Sequence, residues 1–313
     1  MNFRQTISRW ISPFLYPDSG DRGHELLASL LVMAWMVEAR DPYTGGHLWR
    51  VSRYAELLAE KAELTNADVA RVAIGGFLHD LGKIGISDAI LRKPHPLDAD
   101  EFDIIRTHPA IGGRLLAAHP LAALARPAVE SHHERPDGRG YPRGLPDEEI
   151  PLDARIVAIC DAFDAMTSTR PYRVGMPIDT ALDIVAAQLG TQFDATLGSH
   201  FIELAGSGIL EHIVGHSEDG IPLQTCDMCG PTLVLTWAST PGELVYCRSC
   251  GGEYRITASP SGLLGTTATG RRGTARELEP LADVALITRL IQAAVARAPL
   301  AAMLERSHEE SYA

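Results

Sequence analysis

Five histidines and two aspartates between residues 47 and 161 combine residue type and placement in a way that suits metal chemistry. His79-Asp80 ends an apolar stretch and runs into Leu81-Gly82-Lys83, and His132-His133 is an adjacent pair followed by Glu134. His47, His108 and Asp161 fall at the starts, ends or apolar faces of helix-like segments. One histidine in such a place is ordinarily a satisfied core residue; seven imidazoles and carboxylates together point to ligands. Mixed nitrogen and oxygen donors suit Fe, Mn, Zn or Ni, and a carboxylate can bridge two ions. Two cations about 3.5–4 Å apart clamp the attacking and leaving oxygens of a phosphoryl displacement.

A second constellation lies downstream. Cys226-x-x-Cys229 and Cys247-x-x-Cys250 are 17 residues apart, and each pair is followed by glycine, Gly230 and Gly251. Four soft thiolates at this spacing predict one structural zinc in a ribbon of short β-strands. Two redox pairs would need a thioredoxin-like context, which is absent. A segment of about 35 residues cannot build a sufficient core, so the metal would supply its folding free energy. The flanking Asp227, Glu243 and Glu253 are not basic and argue against DNA contact by the ribbon. The fifth cysteine, Cys160, sits in an apolar strip. This usage suits a reducing cytoplasm.

The elements that must position these residues are helical from His24 to about Gly206. Leu26, Leu27, Leu30, Leu31, Ala34 and Val37 predict a buried helix, and Val51, Tyr54, Leu57 and Leu58 a second over His47 to Lys61. Thr65 with Asp68 predicts a capped start, and Asp98 with Glu101 a box-like start for a helix reaching His108. Further helices are expected over Leu115–Leu124, Pro127–His133, Ile150–Thr167 and Ile178–Gln188. Near Gly215 the pattern changes to short runs of β-formers. Ser259 to Thr274 reads as a flexible linker and Leu281 to Arg297 as a last helix with Val284, Ile287, Ile291 and Ala294 on one face. The predicted organisation is a tail (1–22), an all-α catalytic domain (23–212), a small β zinc ribbon (221–257), a linker (258–275) and a C-terminal helix and tail (276–313).

Composition fits this plan. The chain has 313 residues, 45% of them hydrophobic, with 28 Lys plus Arg against 40 Asp plus Glu for a net charge of −12. Such a chain lacks the broad basic footprint of a nucleic-acid binder, so no DNA partner is expected. The most apolar run, Leu26 to Val37, is 12 residues, short of the roughly 20 a spanning helix needs, so no integral membrane contact is expected. Met1 to Tyr16 shows no signal-peptide pattern and is expected as a docked or frayed tail.

The ordered set of motifs resembles the HD-GYP phosphodiesterases, a branch of the HD metal-dependent phosphohydrolases. His79-Asp80-Leu81-Gly82-Lys83-Ile84-Gly85-Ile86 and His132-His133-Glu134-Arg135-Pro136-Asp137-Gly138-Arg139-Gly140-Tyr141-Pro142 match the stretches that define the branch. Glu149-Ile150-Pro151-Leu152, Ala158 through Thr167 and Arg170-Pro171-Tyr172-Arg173 continue the match, which runs from about Leu26 to Leu204. The resemblance implies an all-α HD fold and hydrolysis of the bacterial second messenger cyclic di-GMP, to pGpG or GMP, by a hydroxide activated between two metal ions. It implies that His47, His79, Asp80, His108, His132, His133 and Asp161 are metal ligands, with Asp80 bridging. It places Lys83 near the scissile phosphate and Tyr141, Arg170 and Arg173 against the dinucleotide.

The residues themselves support these roles. Lys83 lies four residues after His79, one turn on if the helix continues. Asp164 lies one turn from Asp161 and is expected to orient a ligand histidine. Tyr141, between Gly140 and Pro142, stands on a shaped loop where a guanine can stack. Some family members carry a glutamate four residues before the first ligand histidine, where it helps hold a third ion. Here that residue is Tyr43, so two ions are expected, Fe or Mn ahead of Zn. The alternative is a catalytically weak nucleotide- or partner-binding module, or a hydrolase of another cyclic dinucleotide. A homodimer or a signalling partner would use the ribbon or the apolar face of Leu281–Arg297.

Overall fold

The computed structural model describes residues 22–41, 45–93, 95–169, 173–260 and 262–309. Most of the expected tail, together with Tyr43 and Arg170, lies outside the described residues.

Two long helices open the domain. α1 (Arg22–Glu38) buries Leu27, Leu30, Leu31, Ala34 and Val37, the residues that share its apolar stripe. α2 (His47–Lys61) follows Gly46, whose φ of 75° lies in the left-handed region. A Cβ there would come within 2.6 Å of the Ser217 Cα, so both conformation and space require glycine. Gly46 offers no side chain to cap α2. Glu38, the last residue of α1, does so from outside: the Leu48 N–H donates to its Oε1 at 3.4 Å. α3 (Asn66–Leu78) is capped as expected, the Asp68 N–H donating to Thr65 Oγ1 at 3.3 Å.

The capping box of Asp98 and Glu101 is complete and opens α5 (Ala99–Ile105), after a single turn, α4 (Asp88–Leu91). The helix expected to run on to His108 breaks. Thr107 Oγ1 donates back to the Ile104 carbonyl at 2.7 Å, and Pro109, without an N–H, suits a first turn. A new helix, α6 (His108–Leu116), therefore begins on the histidine. α7 (Arg126–Ser131), α8 (Leu152–Thr167), α9 (Ile178–Ala187) and α10 (Ala195–Ala205) complete the domain. In its core Tyr54, Phe163 and Phe201 meet edge to face, with centroids 5.0–6.1 Å apart. The buried Arg71 donates to Asp153 at 2.9 Å and pins α3 to α8.

Among the described residues seven strands follow. β1 (His216–Glu218) pairs with β2 (Ile221–Pro222), and β3 (Gln224–Cys226) with β4 (Gly230–Leu233). β5 (Leu244–Tyr246), β6 (Gly252–Ala258) and β7 (Leu264–Arg272) form an antiparallel sheet. β7 corrects the expectation of a flexible linker over 258–275. Its Gly and Thr carry no apolar pattern, but threonine fits a half-exposed pleated surface. Glu253 on β6 anchors the strand by accepting from Thr269 Oγ1 at 2.8 Å and from Arg271 Nη2 at 2.8 Å.

The chain then returns to the helical domain. α11 (Val284–Arg297) buries Leu286, Ile287, Ile291 and Ala294. Ile287 and Ile291 share a core with Leu27, Leu31, Ile74 and Phe77. The apolar face offered above as a dimer contact is thus covered within the chain, by α1 and α3. α12 (Leu300–Glu309) ends the described chain. Among the described residues no helix is long and apolar enough to cross a membrane.

Candidate metal centre

Helix ends converge on one point. His47 begins α2, His79 and Asp80 follow α3, His108 begins α6, His132 and His133 follow α7, and Asp161 faces them from the middle of α8. The close approach of two backbones makes this possible. A Cβ on Gly82 would lie 1.9 Å from the His108 carbonyl oxygen, so α6 rests directly on the turn after Asp80.

The histidines are oriented from behind. His79 Nδ1 donates to the Gly76 carbonyl at 2.7 Å, His108 Nδ1 to Ile105 at 2.8 Å and His132 Nδ1 to Ala128 at 2.8 Å. His47 Nδ1 donates to Asp164 Oδ2 at 2.8 Å, the orienting role expected of Asp164. A carbonyl only accepts, so each of those three backbone-bonded rings carries a proton on Nδ1, and His108 and His132, which burial keeps neutral, turn Nε2 lone pairs inward. His108 Nε2 and His132 Nε2 then stand 3.2 Å apart, lone pair to lone pair. Such a contact is repulsive by itself and is relieved by a cation.

Asp80 stands between two imidazole groups. Its Oδ2 lies 3.6 Å from His47 Nε2 and 3.4 Å from His79 Nε2, while its Oδ1 lies 3.4 Å from His108 Nε2. Asp161 Oδ1 joins the first group at 3.6 Å from His47 and 3.8 Å from His79. The donor atoms of His47, His79 and Asp80 are mutually within 4.8 Å, as are those of His108, His132 and His133. Two groups of nitrogen and oxygen donors sharing one carboxylate are of the type that holds divalent cations.

Burial pushes His108 down to about 4 and His133 to about 3, so both rings are neutral at pH 7 and free to donate a lone pair to a cation. Burial opposes ionisation of Asp80, yet Lys83 and His79 hold its carboxyl well below the usual carboxylate range. Burial also opposes the charge on His47, but Asp164 and Asp80 raise it to about 9, so a cation bound there would have to displace the Nε2 proton.

Lys83 reaches the centre by a different route from the expected one. α3 ends at Leu78, and residues Leu81–Gly85 form a tight 3₁₀ turn. Three residues per turn bring Lys83 over Asp80, and its Nζ donates to Asp80 Oδ2 at 2.6 Å.

A cavity of about 520 Å³ opens beside His132, His133 and Asp161. Tyr141 lines it, its ring 4.7 Å from that of His133 and tilted by 30°. Arg106, Arg135 and Arg139 line it too, a basic mouth on an acidic chain. Arg173 is not at this wall. Its Nη2 donates to the Ala165 and Met166 carbonyls, so here it braces the end of α8.

Three supporting residues were not singled out from the sequence. Arg106 lies over the Tyr141 ring, 4.7 Å from its centroid. Glu134 is buried and accepts from the Arg143 and Leu145 amides at 2.7 and 2.9 Å, which ties down the loop carrying Tyr141. Arg50 binds Asp164 through Nε at 2.5 Å and Nη2 at 3.0 Å. Its signal was present: an arginine three residues after a ligand histidine on an otherwise apolar helix face.

The sequence model of the HD domain family matches residues 31–197, just over half of the chain. The chain belongs to the HD domain family. Curated relatives of this HD domain are enzymes. A 3'3'-cGAMP-specific phosphodiesterase 3 of Vibrio cholerae is 44% identical over 160 residues, 51% of this chain and 35% of that protein. The cyclic di-GMP phosphodiesterase response regulator RpfG of Xanthomonas campestris is 41% identical over 197 residues, 62% of this chain and 51% of that protein. A cyclic di-GMP phosphodiesterase of Thermotoga maritima is 38% identical over 181 residues, 57% of this chain and 49% of that protein. The chain thus spans about half or less of the length of these relatives.

The four cysteines form a separate cluster. Their sulfurs lie within 4.8 Å of one another, all of them free thiols. Burial opposes ionisation of Cys226, but the Tyr254 hydroxyl, donating at 3.3 Å, and the Met228 and Cys229 amides bring it down to about 7. That environment suits a metal thiolate.

Proposed function

We propose that this protein is a metal-dependent phosphodiesterase that hydrolyses cyclic di-GMP. The observation that carries the reading is Asp80, with one oxygen toward His47 and His79 and the other toward His108. Relatives named for cyclic di-GMP and for 3'3'-cGAMP share the domain; cyclic di-GMP is the substrate proposed here, and another cyclic dinucleotide is the alternative.

Two divalent ions, Fe or Mn ahead of Zn, would be held by His47, His79, Asp80 and Asp161 on one side and by Asp80, His108, His132 and His133 on the other. Bound there, the pair supplies a nucleophilic water at neutral pH and neutralises charge on the equatorial phosphate oxygens. The chain's own residues do the rest. Lys83 holds its ammonium beside Asp80 and offers a point charge to the phosphate. Tyr141 packs against His133 at the cavity wall and would give a guanine a stacking face where the Arg106 guanidinium moves off the ring. Arg135 and Arg139 draw the anionic substrate to the mouth. Arg170 is proposed to contact the dinucleotide; Arg173, turned to the end of α8, would reach it after a change of rotamer. A site for two ions rather than three is supported by Glu38, whose carboxylate is engaged by the Leu48 N–H at the start of α2.

Tyr141→Ala is expected to raise KM about tenfold with a smaller change in kcat, since base stacking on an aromatic contributes about 1–3 kcal/mol. Steady-state kinetics check this, and an unchanged KM would remove Tyr141 from the substrate wall.

The cysteine cluster is proposed to bind one zinc through Cys226, Cys229, Cys247 and Cys250, in keeping with a reducing, cytoplasmic setting. Cys226→Ser should release that zinc and loosen residues 224–257, while the histidine centre still fills at saturating metal. Elemental analysis with hydrogen exchange reads both, and joint loss of all metals at saturation would contradict the assignment.

A further inference from the structure

The cysteine module is packed against the segment that delivers His47. Gly45 lies so close to Val234, just past β4, that a Cβ on it would meet the Val234 Cγ2 at 2.6 Å. Gly46 rests on Ser217 and on the His216 carbonyl of β1 in the same way. Ser217 Oγ donates to the Leu235 carbonyl at 3.1 Å, which joins β1 to the strand leading away from Cys229. Arg248, between the cysteines of the second pair, lies over the Trp35 ring at 5.5 Å and donates to the Ala39 carbonyl at 3.3 Å. The module therefore touches the chain at Ala39 and again at Gly45 and Gly46, just before His47.

Arg50 reads this contact. It is buried, and its guanidinium is shared between two parties. Nη1 donates to the Gly45 and His216 carbonyls, both at 2.8 Å; Nε and Nη2 donate to Asp164, and Nη2 also to Ser168 Oγ at 3.1 Å. Asp164 in turn accepts from His47 Nδ1. A planar guanidinium has fixed donor directions, so the position of β1 and the orientation of the Asp164 carboxylate are set together. A carboxylate behind a ligand histidine fixes its ring, and losing such a partner typically costs about 10–100-fold in metal affinity.

We propose that Arg50 is a positioning residue that makes the metal affinity of the histidine–aspartate centre depend on the metal state of the cysteine module. The module holds β1 in place when its four thiolates share a zinc; β1 then completes the bonding of Arg50, and Arg50 holds Asp164 and His47 in ligating geometry. Loss of the zinc frees β1, removes one of the partners of Arg50 and slackens His47. The inference rests on the two-cation reading of the histidine centre proposed above.

The test is a double-mutant cycle read by Mn(II) binding, with free Mn(II) followed by electron paramagnetic resonance and circular dichroism confirming the fold. Arg50→Lys is expected to weaken Mn(II) binding about tenfold or more while ribbon zinc stays at one per chain. Cys226→Ser is expected to weaken it several-fold. The double variant should bind no more weakly than Arg50→Lys alone, because both act through one contact. Should Arg50→Lys not fold, Ser168→Ala takes its place in the cycle; should Cys226→Ser not fold, Val234→Ala loosens the same contact with all four thiolates intact. Unchanged Mn(II) affinity in the zinc-free variant, or losses that multiply independently, would overturn the proposal. Failure of the parent protein to bind Mn(II) would instead count against the two-cation reading on which it rests.

Discussion

Asp80→Ala is expected to lower the turnover of cyclic di-GMP by about 10³-fold or more, with the protein still folded. Removing one electrostatic stabiliser from an active site commonly costs about 10²–10³-fold, and Asp80 is the carboxylate both imidazole groups share. Its loss leaves His47 and His79 facing His108 with no anion between them, so neither cation position keeps its full donor set. The fold should survive because Asp80 lies past the end of α3 and caps nothing; Lys83, its partner, keeps access to solvent. Turnover measured beside circular dichroism tests this. Near-parental activity after verified metal loading would remove Asp80 from the bridging role.

Asp164→Ala should produce the largest loss of stability among single substitutions at the site, about 3–5 kcal/mol. Asp164 and Arg50 are both buried, and truncating the carboxylate leaves a guanidinium without its counter-charge in the interior. The carboxyl is also sensitive to acid. Burial opposes its ionisation, but Arg50 and His47 hold it below its ordinary value of 3.8. A depressed carboxyl contributes stability above its unfolded value, and that contribution fades as the pH falls below about 4 toward the folded value. Urea unfolding of parent and variant at pH 7 and at pH 3 checks both statements. The gap between the two proteins should be wide at pH 7 and narrower at pH 3. A small gap at pH 7 would show that Arg50 finds other partners.

Six of the seven candidate ligands were legible because they sit at helix ends, where sequence signals are strong; Asp161, in the middle of α8, came from the motif alone. His79-Asp80 follows an apolar stripe, and His132-His133 follows another. The family resemblance ordered the set, and the geometry brings all seven together. The caps at Thr65 and Asp98 were equally plain, since each is a local side-chain-to-backbone bond. What escaped was non-local or lacked a pattern. The break before His108 depends on Thr107 and Pro109 acting together. The 3₁₀ turn at Lys83 is forced by α6 pressing on Gly82. β7 carries no hydrophobic alternation, because its anchors are Glu253 and hydrogen bonds to β6. The apolar face of α11 shows a need for burial but not what covers it; α1 and α3 do. Arg50 escaped because Asp164 and His216, its partners, are more than a hundred residues along the chain.

The central claim is most directly tested by incubating the full chain, reconstituted with Mn(II) or Fe(II) and with metal content verified, with cyclic di-GMP and separating the products by chromatography. The account predicts two ions per histidine centre beside one ribbon zinc, and metal-dependent conversion of cyclic di-GMP to pGpG or GMP that a chelator stops. Tight binding of cyclic di-GMP with no hydrolysis by the fully loaded protein would contradict it and establish a binding module in place of an enzyme.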